Sequence, residues 1–295
     1  MPIFLFPGQG SQKAGILKQF AEASTAARAM SERVLNLMPA SVARVLEEGA
    51  QEELNDTRYA QPSLLCAALV VTAHLDALGI RPDACAGHSV GEVAAFTVAG
   101  ALSVEQSIPF ILERARLMSE NVPEGGMAAV IGMPVETIET LLCDGAQIAN
   151  YNGPSQTIIS GASAPLEASV NAIKAHGARR VMALQVSGPF HSQCMTSASE
   201  KLTKYLDAMT IMAPKISVFS SVTGAYETDP AQIRALLAGQ LRSPVRWTTV
   251  MEAFSERDAI EVGPGNALAG LARRADRAPT VRPANTPDAC QALLT

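Results

Sequence analysis

The chain has 295 residues, of which 48% are apolar and 17% charged, and it carries a formal net charge of −5. At this length the apolar fraction is sufficient for a packed interior, which excludes intrinsic disorder for most of the chain and also a fibrous structure. The acidic balance and the lack of long runs of like charge argue against an extended phosphate-binding surface. We therefore expect no nucleic-acid partner.

The N-terminal segment, Met1 to Gly8, has no basic leader, and its apolar run is too short for the core of a signal peptide. We find no stretch that approaches the roughly 18 apolar residues of a membrane span. These observations predict a soluble, cytoplasmic protein. The five cysteines lie far apart without Cys-x-x-Cys spacing, which predicts reduced thiols and no zinc or redox site.

Strands and helices alternate in the first part of the chain. In chain order, the predicted elements are a strand at 3–6, a helix at 63–78, a strand at 84–86, a helix after Gly91 and a helix after Ser103. This alternation is typical of a parallel sheet wrapped by helices. Further strands near 216–220 and 259–262 are expected to return to the same sheet.

Shorter elements follow from residue 126. The predicted strands are 127–132, 147–151, 156–160 and 180–186, and the predicted helices are 135–142 and 165–175. Their order, β-α-β-β-α-β, is that of a ferredoxin-like unit. We therefore predict a small lobe that is inserted into the larger one.

The segment Gly87-His88-Ser89-Val90-Gly91 is a Gly-x-Ser-x-Gly pattern between a predicted strand and a predicted helix. A serine on so tight a turn needs small neighbours, because its backbone presses against the adjoining strand and helix while the hydroxyl is exposed. In this context we predict that Ser89 is a nucleophile. The alternative is an ordinary strand-to-helix turn.

A serine nucleophile needs a base, which is most often a histidine. His74 lies in an apolar helix and His176 precedes a helix-ending glycine, so both are interpreted as structural or surface residues. His88 adjoins the serine, where neighbouring side chains tend to point apart, and we expect it to have a packing role. His191, in a Gly-Pro loop, is the predicted base.

The sequence does not decide which group orients the histidine or which groups bind the oxyanion. Asp144 and Glu167 could orient the histidine, but both lie in the small lobe, so a dyad oriented by a backbone carbonyl fits as well as a triad. The Val90 amide is a predicted oxyanion donor, and a second donor could come from the glycine-rich turn at 8–12. A phosphate loop is the competing interpretation of that turn, although it lacks the Gly-Lys-Ser/Thr ending.

Arg114 lies on an otherwise apolar helix. An arginine in such a position is most often a surface residue whose aliphatic part packs on the helix. Near an acyl-serine it would instead bind a carboxylate, because the guanidinium presents paired donors in carboxylate geometry. The sequence alone does not decide between these interpretations.

Six segments occur together in a fixed order. They are Phe6-Pro7-Gly8-Gln9-Gly10-Ser11-Gln12, Tyr59-Ala60-Gln61-Pro62-Ser63-Leu64-Leu65, Gly87-His88-Ser89-Val90-Gly91-Glu92, Arg114, Gly188-Pro189-Phe190-His191-Ser192 and Glu261-Val262-Gly263-Pro264-Gly265. From residue 3 to about 274 the chain resembles the malonyl-coenzyme A:acyl carrier protein transacylases of fatty acid and polyketide synthesis. This order and spacing is far more specific than the serine turn alone.

The resemblance implies a ping-pong transfer from malonyl-coenzyme A to an acyl carrier protein through a malonyl-serine at Ser89, with His191 as base. It implies no metal and no redox cofactor, since the substrate carries its own pantetheine. Malonyl-coenzyme A and the carrier protein are the expected partners of a monomer that binds neither nucleic acid nor membranes. The backbone carbonyl of Arg246 would orient His191, and the amides of Gln9 and Val90 would bind the oxyanion.

The resemblance also implies the acyl pocket. Arg114 would pair with the malonate carboxylate, and Gln61 would line the pocket. Phe190, before the histidine, is typical of malonyl-accepting relatives, and its ring leaves little room for an added methyl, which is worth only about 1–3 kcal/mol. One departure is Val93, where many relatives have Tyr or Phe, and it affects the expected shape of the pocket edge.

We predict an α/β-hydrolase-like core of residues 1–124 and 189–295 with a parallel sheet, and an inserted ferredoxin-like subdomain of residues 125–188. The site is expected between the two. An acidic carrier protein would dock on a basic patch, for which the candidates are Arg179, Arg180, Arg273 and Arg274. The alternatives are a polyketide acyltransferase, the malonyl-transfer subunit of a malonate decarboxylase, a serine esterase or phospholipase, and a non-catalytic scaffold.

Overall fold

The computed structural model describes residues 1–120 and 122–295. The strands are β1 (Ile3–Phe6), β2 (Ala84–Gly87), β3 (Gly125–Ile131), β4 (Ala146–Gly153), β5 (Gln156–Ala162), β6 (Arg180–Ala183), β7 (Ser217–Phe219), β8 (Tyr226–Glu227), β9 (Asp258–Val262) and β10 (Thr280–Ala284). The helices are α1 (Ile16–Ala23), α2 (Thr25–Asn36), α3 (Ala40–Glu48), α4 (Gln51–Leu54), α5 (Thr57–Ala77), α6 (Gly91–Val98), α7 (Val104–Leu117), α8 (Val135–Leu141), α9 (Ser163–Ala175), α10 (Thr196–Asp207), α11 (Pro230–Gly239), α12 (Trp247–Ala253), α13 (Ala267–Ala272) and α14 (Pro287–Gln291).

Six strands form one sheet in the order β10-β9-β1-β2-β7-β8. All neighbours are parallel except β8, which runs antiparallel to β7. The central strand β1 is buried at every residue, as expected for an apolar strand whose two faces are both covered by helices. The strands predicted at 3–6 and 84–86 are therefore confirmed, and both lie at the centre of the sheet.

The second sheet is antiparallel, with the order β4-β5-β3-β6. It is built from the consecutive elements β3, α8, β4, β5, α9 and β6, which confirms the predicted order of elements. It has its own apolar core, which includes Val130, Ile138, Ile148, Ile159 and Ile173. The last strand ends at Ala183 and not at the predicted 186, because beyond it the Leu184 amide is the only group among the described residues that still bonds to the neighbouring strand, at Met127.

Helix α5 packs against the four helices α1, α2, α6 and α7. It contains an 18-residue window with a mean hydropathy of 1.2, which is long and apolar enough to cross a membrane by length and composition alone. The expectation that no stretch approaches the length and hydropathy of a membrane span is therefore wrong for α5. In the structure 78% of the window is buried inside the protein, so the apolar surface of α5 belongs to the core.

A short segment before α12 connects the two sheets. The Val245 amide donates to the Ala149 carbonyl at 2.8 Å, and the Tyr151 amide donates to the Val245 carbonyl at 2.9 Å. The Thr248 hydroxyl adds a hydrogen bond to the Tyr151 carbonyl at 3.0 Å. These bonds fix strand β4 of the small sheet beside the segment that leads into α12.

Candidate active site

Ser89 lies on the turn between β2 and α6, with a φ of 51°. A side chain at Gly87 would place its Cβ 2.0 Å from the Gly91 carbonyl carbon, and one at Gly91 would place it 2.1 Å from the Phe6 carbonyl oxygen. Both positions therefore require glycine, which is the physical reason for the Gly-x-Ser-x-Gly spacing. The strained turn presents the serine at the carboxyl end of the central strands.

His191 contacts this serine. Its Nε2 lies 2.7 Å from Ser89 Oγ, and its Nδ1 lies 3.0 Å from the carbonyl oxygens of both Gln240 and Ser243. Carbonyl oxygens only accept hydrogen bonds, so Nδ1 carries the proton and Nε2 is free to accept the serine hydroxyl proton. Burial, reinforced by the nearby Arg114 charge, lowers the pKa of His191 to about 4, which keeps the imidazole neutral near pH 7.

The backbone carbonyl of Arg246, which was expected to orient His191, does not bond to it. Arg246 begins α12 as its N-cap, and its carbonyl accepts from the Val250 amide at 3.3 Å inside that helix. Gln240 and Ser243 supply the acceptors for His191 Nδ1 instead. The choice of a backbone-oriented dyad over a triad agrees with the geometry, since Asp144 and Glu167 are exposed and neither bonds to His191.

The other histidines lie in different surroundings. His88 Nε2 lies 2.9 Å from Asn152 Oδ1, and the ring packs edge-on against Trp247, so His88 packs between the two sheets. The His74 ring packs against Phe20, and His176 is exposed at the end of α9. None of these three rings lies within hydrogen-bond distance of Ser89 Oγ among the described residues.

A cavity of about 510 Å³ opens beside Ser89 and His191. Gln9, Gln12 and Asn55 make part of its wall polar, and Met118, Met127 and Phe190 are among its apolar lining residues. Gln9 and Val90 both line it, and no hydrogen bond from either backbone amide is found among the described residues. Their amides are thus available as donors on the serine side of the cavity.

Arg114 lines the same cavity and is only 1% exposed, so its interpretation as a surface residue is wrong. Its Nη1 donates to Gln61 Oε1, its Nη2 donates to Gln240 Oε1 at 2.8 Å, and its buried Nε has no acceptor among the described residues. Burial lowers the pKa of Arg114 to about 10, which leaves the guanidinium charged at neutral pH. The neighbouring Arg116 is exposed and pairs with Glu113 and Glu120.

Two expected pocket residues lie elsewhere. Gln61 does not line the cavity; it is fully buried behind Arg114, where its Nε2 also donates to Met118 Sδ at 3.3 Å. Val93 is fully buried in the main core and is not among the residues that line the cavity.

Sequence reasoning missed Gln240 and Glu92. Glu92 is buried in the first turn of α6, and burial raises its pKa to about 7. The Gln240 side chain bonds to Glu92, Arg114 and the backbone carbonyl of Ser89. Glu92 directly follows the Gly-x-Ser-x-Gly turn, and a carboxyl at the start of a largely apolar helix is a signal for it in the sequence. The residues around Gln240 carry no comparable signal.

The strand–turn–helix serine and its histidine are the arrangement of serine-dependent enzymes that carry acyl groups as esters. Residues 3–276 match the family model of the acyl transferase domain. The chain is 38% identical over 93% of its length to the malonyl CoA-acyl carrier protein transacylase of Bacillus subtilis, of which it covers 90%. The chain therefore belongs to the malonyl CoA-acyl carrier protein transacylases of the acyl transferase family.

Solved structures agree with this assignment. The malonyl CoA-acyl carrier protein transacylase of Coxiella burnetii superposes with a TM-score of 0.93 at 32% identity, over 99% of this chain and 96% of that one. A malonyl-transacylase solved in complex with a type II polyketide synthase acyl-carrier protein gives the same TM-score at 32% identity, over 99% of this chain and 98% of that one.

Proposed function

We propose that the protein transfers a malonyl group from malonyl-coenzyme A to the phosphopantetheine thiol of an acyl carrier protein. The observation that carries this proposal is the shared cavity of the Ser89–His191 pair and a buried, charged Arg114. The pair supplies a nucleophile and its base, and the arginine supplies a partner for the free carboxylate of a malonyl group. The names of the relatives at 35–38% identity support the same activity.

In the first half-reaction His191 Nε2 takes the proton of Ser89 Oγ while the oxygen attacks the thioester carbonyl carbon. The tetrahedral oxyanion accepts hydrogen bonds from the amides of Gln9 and Val90. The carbon–sulfur bond then breaks, and coenzyme A leaves as a thiol with the proton returned by the imidazolium. The products are a malonyl-serine ester and neutral His191.

The second half-reaction runs in the opposite sense. The carrier thiol gives its proton to His191 Nε2 and its sulfur attacks the ester carbonyl. Collapse of the second tetrahedral intermediate breaks the bond to Ser89 Oγ, which recovers the proton from the imidazolium. Malonyl now resides on the carrier as a thioester, and the enzyme is unchanged.

The acyl group is selected at two points of the malonyl chain, its terminal carboxylate and its central carbon. The carboxylate pairs with the Arg114 guanidinium, and Phe190, which is buried beside the cavity, limits the space at the central carbon. Malonyl is therefore the favoured substrate over methylmalonyl. A serine esterase would have no use for a buried arginine in its acyl pocket, which argues against that alternative.

We also infer how the chain divides into two structural units, and which arginines are candidates for binding the carrier protein. The strand order β4-β5-β3-β6 and the antiparallel pairing support a ferredoxin-like subdomain at residues 125–188, and the largely parallel sheet with the serine turn supports an α/β-hydrolase-like core at 1–124 and 189–295. Arg179, Arg180, Arg273 and Arg274 are all exposed, so each of them is accessible to an acidic carrier protein. A polyketide or malonate decarboxylase carrier would use the same chemistry.

The experiment is an acylation test with purified components. Wild-type protein is mixed with labelled malonyl-coenzyme A, the acyl-enzyme is trapped by acid, and holo acyl carrier protein is then added to a second sample. We expect label on Ser89, loss of label in Ser89→Ala, and movement of label to the carrier faster than its release as free malonate. Absence of label on wild type, or label that persists in Ser89→Ala, contradicts the proposal; release to water without transfer favours an esterase.

A further inference from the structure

A chain of buried hydrogen bonds leads from Glu92 to the guanidinium of Arg114. Glu92 Oε2 accepts from Gln240 Nε2 at 2.5 Å, and Gln240 Oε1 accepts from Arg114 Nη2 at 2.8 Å. Glu92 Oε1 is held in turn by the Ser221 amide at 2.9 Å. The side chains of Glu92, Gln240 and Arg114 are each at most 1% exposed, so these hydrogen bonds are shielded from solvent.

This series of hydrogen bonds requires one orientation of the Gln240 side-chain amide, with its oxygen toward Arg114 and its nitrogen toward Glu92. An amide has a donor end and an acceptor end, and the guanidinium only donates. If the amide were reversed, its NH₂ group would oppose Arg114 Nη2, two donors in a buried place. The carboxylate of Glu92 and the carbonyl of Ser89, which lies 3.1 Å from Gln240 Nε2, attract the NH₂ end and so point the oxygen at Arg114.

The arrangement also keeps a carboxylate away from direct contact with the arginine. The two groups that Arg114 bonds among the described residues, Gln61 and Gln240, are neutral amides. A carboxylate in their place would form an ion pair with Arg114 and compete with an incoming substrate carboxylate. Glu92 is instead one side chain removed, where it orients the amide without taking a guanidinium hydrogen bond.

We propose that Glu92 is a positioning residue for carboxylate recognition, which acts on Arg114 through the side-chain amide of Gln240. This inference rests on the proposed malonyl transfer. Its consequence is that Glu92 controls the discrimination between acyl groups with and without a terminal carboxylate, although it lies behind the cavity and does not border it. The acyl chemistry itself remains with Ser89 and His191.

The test is Glu92→Gln, assayed at pH 8, where the Glu92 carboxyl is ionised, by single-turnover acylation with malonyl- and acetyl-coenzyme A, followed by mass measurement of the intact protein. The introduced amide has a donor as well as an acceptor, so it no longer dictates the direction of the Gln240 amide. We expect kcat/KM for malonyl to fall about tenfold, mostly through KM, and kcat/KM for acetyl to change less than about threefold. Equal losses for the two substrates would overturn the proposal.

A matched control is Glu261→Gln. Glu261 is equally buried, but its oxygens accept from the Leu268 and Ala269 amides at the start of α13, and it does not border the cavity. This variant should lower the two acylation rates by the same factor, if at all. A tenfold fall of the malonyl-to-acetyl ratio in this control as well would show that the ratio reports general loosening and would overturn the proposal.

A second variant covers the case in which Glu92→Gln does not fold. Gln240→Leu keeps the backbone carbonyl that His191 needs and a side chain of similar size, but removes the amide. The malonyl-to-acetyl ratio should fall in it, and adding Glu92→Gln should lower the ratio no further, because the two residues act in series. An unchanged ratio in Gln240→Leu, or a further fall in the double variant, overturns the proposal; no malonyl acylation of wild type would instead refute the proposed function itself.

Discussion

Ser89 and His191 both have a positive φ, of 51° and 57°. A side chain in this region costs of order 1–3 kcal/mol, so the two reacting residues are held by the structure around them and not by their own backbone preference. The hydrogen bond that the His191 backbone N–H donates to the Leu241 carbonyl, at 2.8 Å, is one of the contacts that hold His191 in this conformation. Strain at the reacting residues therefore lowers the free energy of unfolding in exchange for a fixed geometry.

This strain predicts a difference between two inactive variants. Ser89→Gly removes the hydroxyl and also the Cβ that disfavours a φ of 51°, whereas Ser89→Ala removes only the hydroxyl. We expect the glycine variant to be more stable than the alanine variant by about 1 kcal/mol. Urea unfolding of both proteins measures this, and an alanine variant of equal or greater stability would show that the turn carries no strain.

Arg114 gives a prediction about the substrate. Arg114→Ala should lower kcat/KM for malonyl by roughly a hundredfold, about 3 kcal/mol, because a buried charge-assisted pair with the carboxylate is lost. Acetyl transfer, which needs no such pair, should change much less. Parallel assays with malonyl- and acetyl-coenzyme A decide the matter, and equal losses would remove the carboxylate pairing from the proposed mechanism.

The lowered pKa of His191, about 4, gives a prediction about pH. The base is active only when neutral, and acetyl-coenzyme A has no terminal carboxylate for Arg114, so the rate of acylation by acetyl-coenzyme A should stay constant from pH 7 to about pH 5 and fall below that as the imidazole gains its proton. A histidine of ordinary pKa would already lose activity near pH 6.5. Acylation rates across pH 4 to 8 test this, and an acid limb centred near 6.5 would contradict the burial of the ring.

At the scale of elements, the tight passage from β2 through the turn into α6 decides whether a site forms. Gly91 allows α6 to start against β1, because its missing Cβ would lie 2.1 Å from the Phe6 carbonyl oxygen. Gly239 in α11 is a useful contrast: its nearest neighbour to an added Cβ is Ser243 Oγ at 3.9 Å, and its φ is −75°. The same residue type is obligatory at one position and replaceable at the other.

The two glycines therefore predict opposite results. Gly91→Ala should destabilise the protein by 3 kcal/mol or more and abolish acylation, because backbone must move to admit the methyl group; the magnitude is roughly that of severe overpacking. Gly239→Ala should stabilise it by about 0.5–1 kcal/mol through helix propensity. Thermal unfolding of both variants and of wild type measures these changes in stability. A stable, active Gly91→Ala protein would refute the close approach of α6 to β1.

Elements with a strong local signal were predictable from the sequence. The apolar strand at 3–6 and the glycine-bounded turn at Ser89 have such signals, because burial on both faces and a backbone contact each permit few residue types. Strand β10 was missed: it is an edge strand that contains Pro283, and a proline inside a run argues against a strand. The role of Gln240 was missed because it depends on three partners distant in sequence, at 89, 92 and 114.

At the scale of the whole molecule, two buried groups have opposite effects on the pH dependence of folding. The pKa of Glu92 is raised to about 7, so the folded protein holds a proton there that the unfolded chain releases above about pH 4.5. The pKa of His191 is lowered to about 4, so the unfolded chain holds a proton there below about pH 6.5 that the folded protein lacks. Stability falls with rising pH through the first group and rises through the second.

Between pH 4.5 and 6.5 the contributions of Glu92 and His191 to the pH dependence of the free energy of unfolding cancel. Removal of the Glu92 carboxyl should therefore leave the contribution of His191 visible. In Glu92→Gln the free energy of unfolding should increase with pH in this window by up to about 1.4 kcal/mol per pH unit more than in wild type. Urea unfolding of both proteins at pH 5 and pH 6 gives the two slopes. Parallel slopes would mean that Glu92 titrates alike in the folded and unfolded states.

The short segment from Gln240 to Val245 has two structural roles. It supplies both carbonyl acceptors of His191 Nδ1, and at Val245 it pairs with strand β4 of the small sheet. The same five peptide units therefore hold the imidazole proton in place and fix the small sheet beside the larger one. The orientation of the histidine and the placement of the small sheet depend on one stretch of backbone, so the wall of the cleft and the base inside it share a single support.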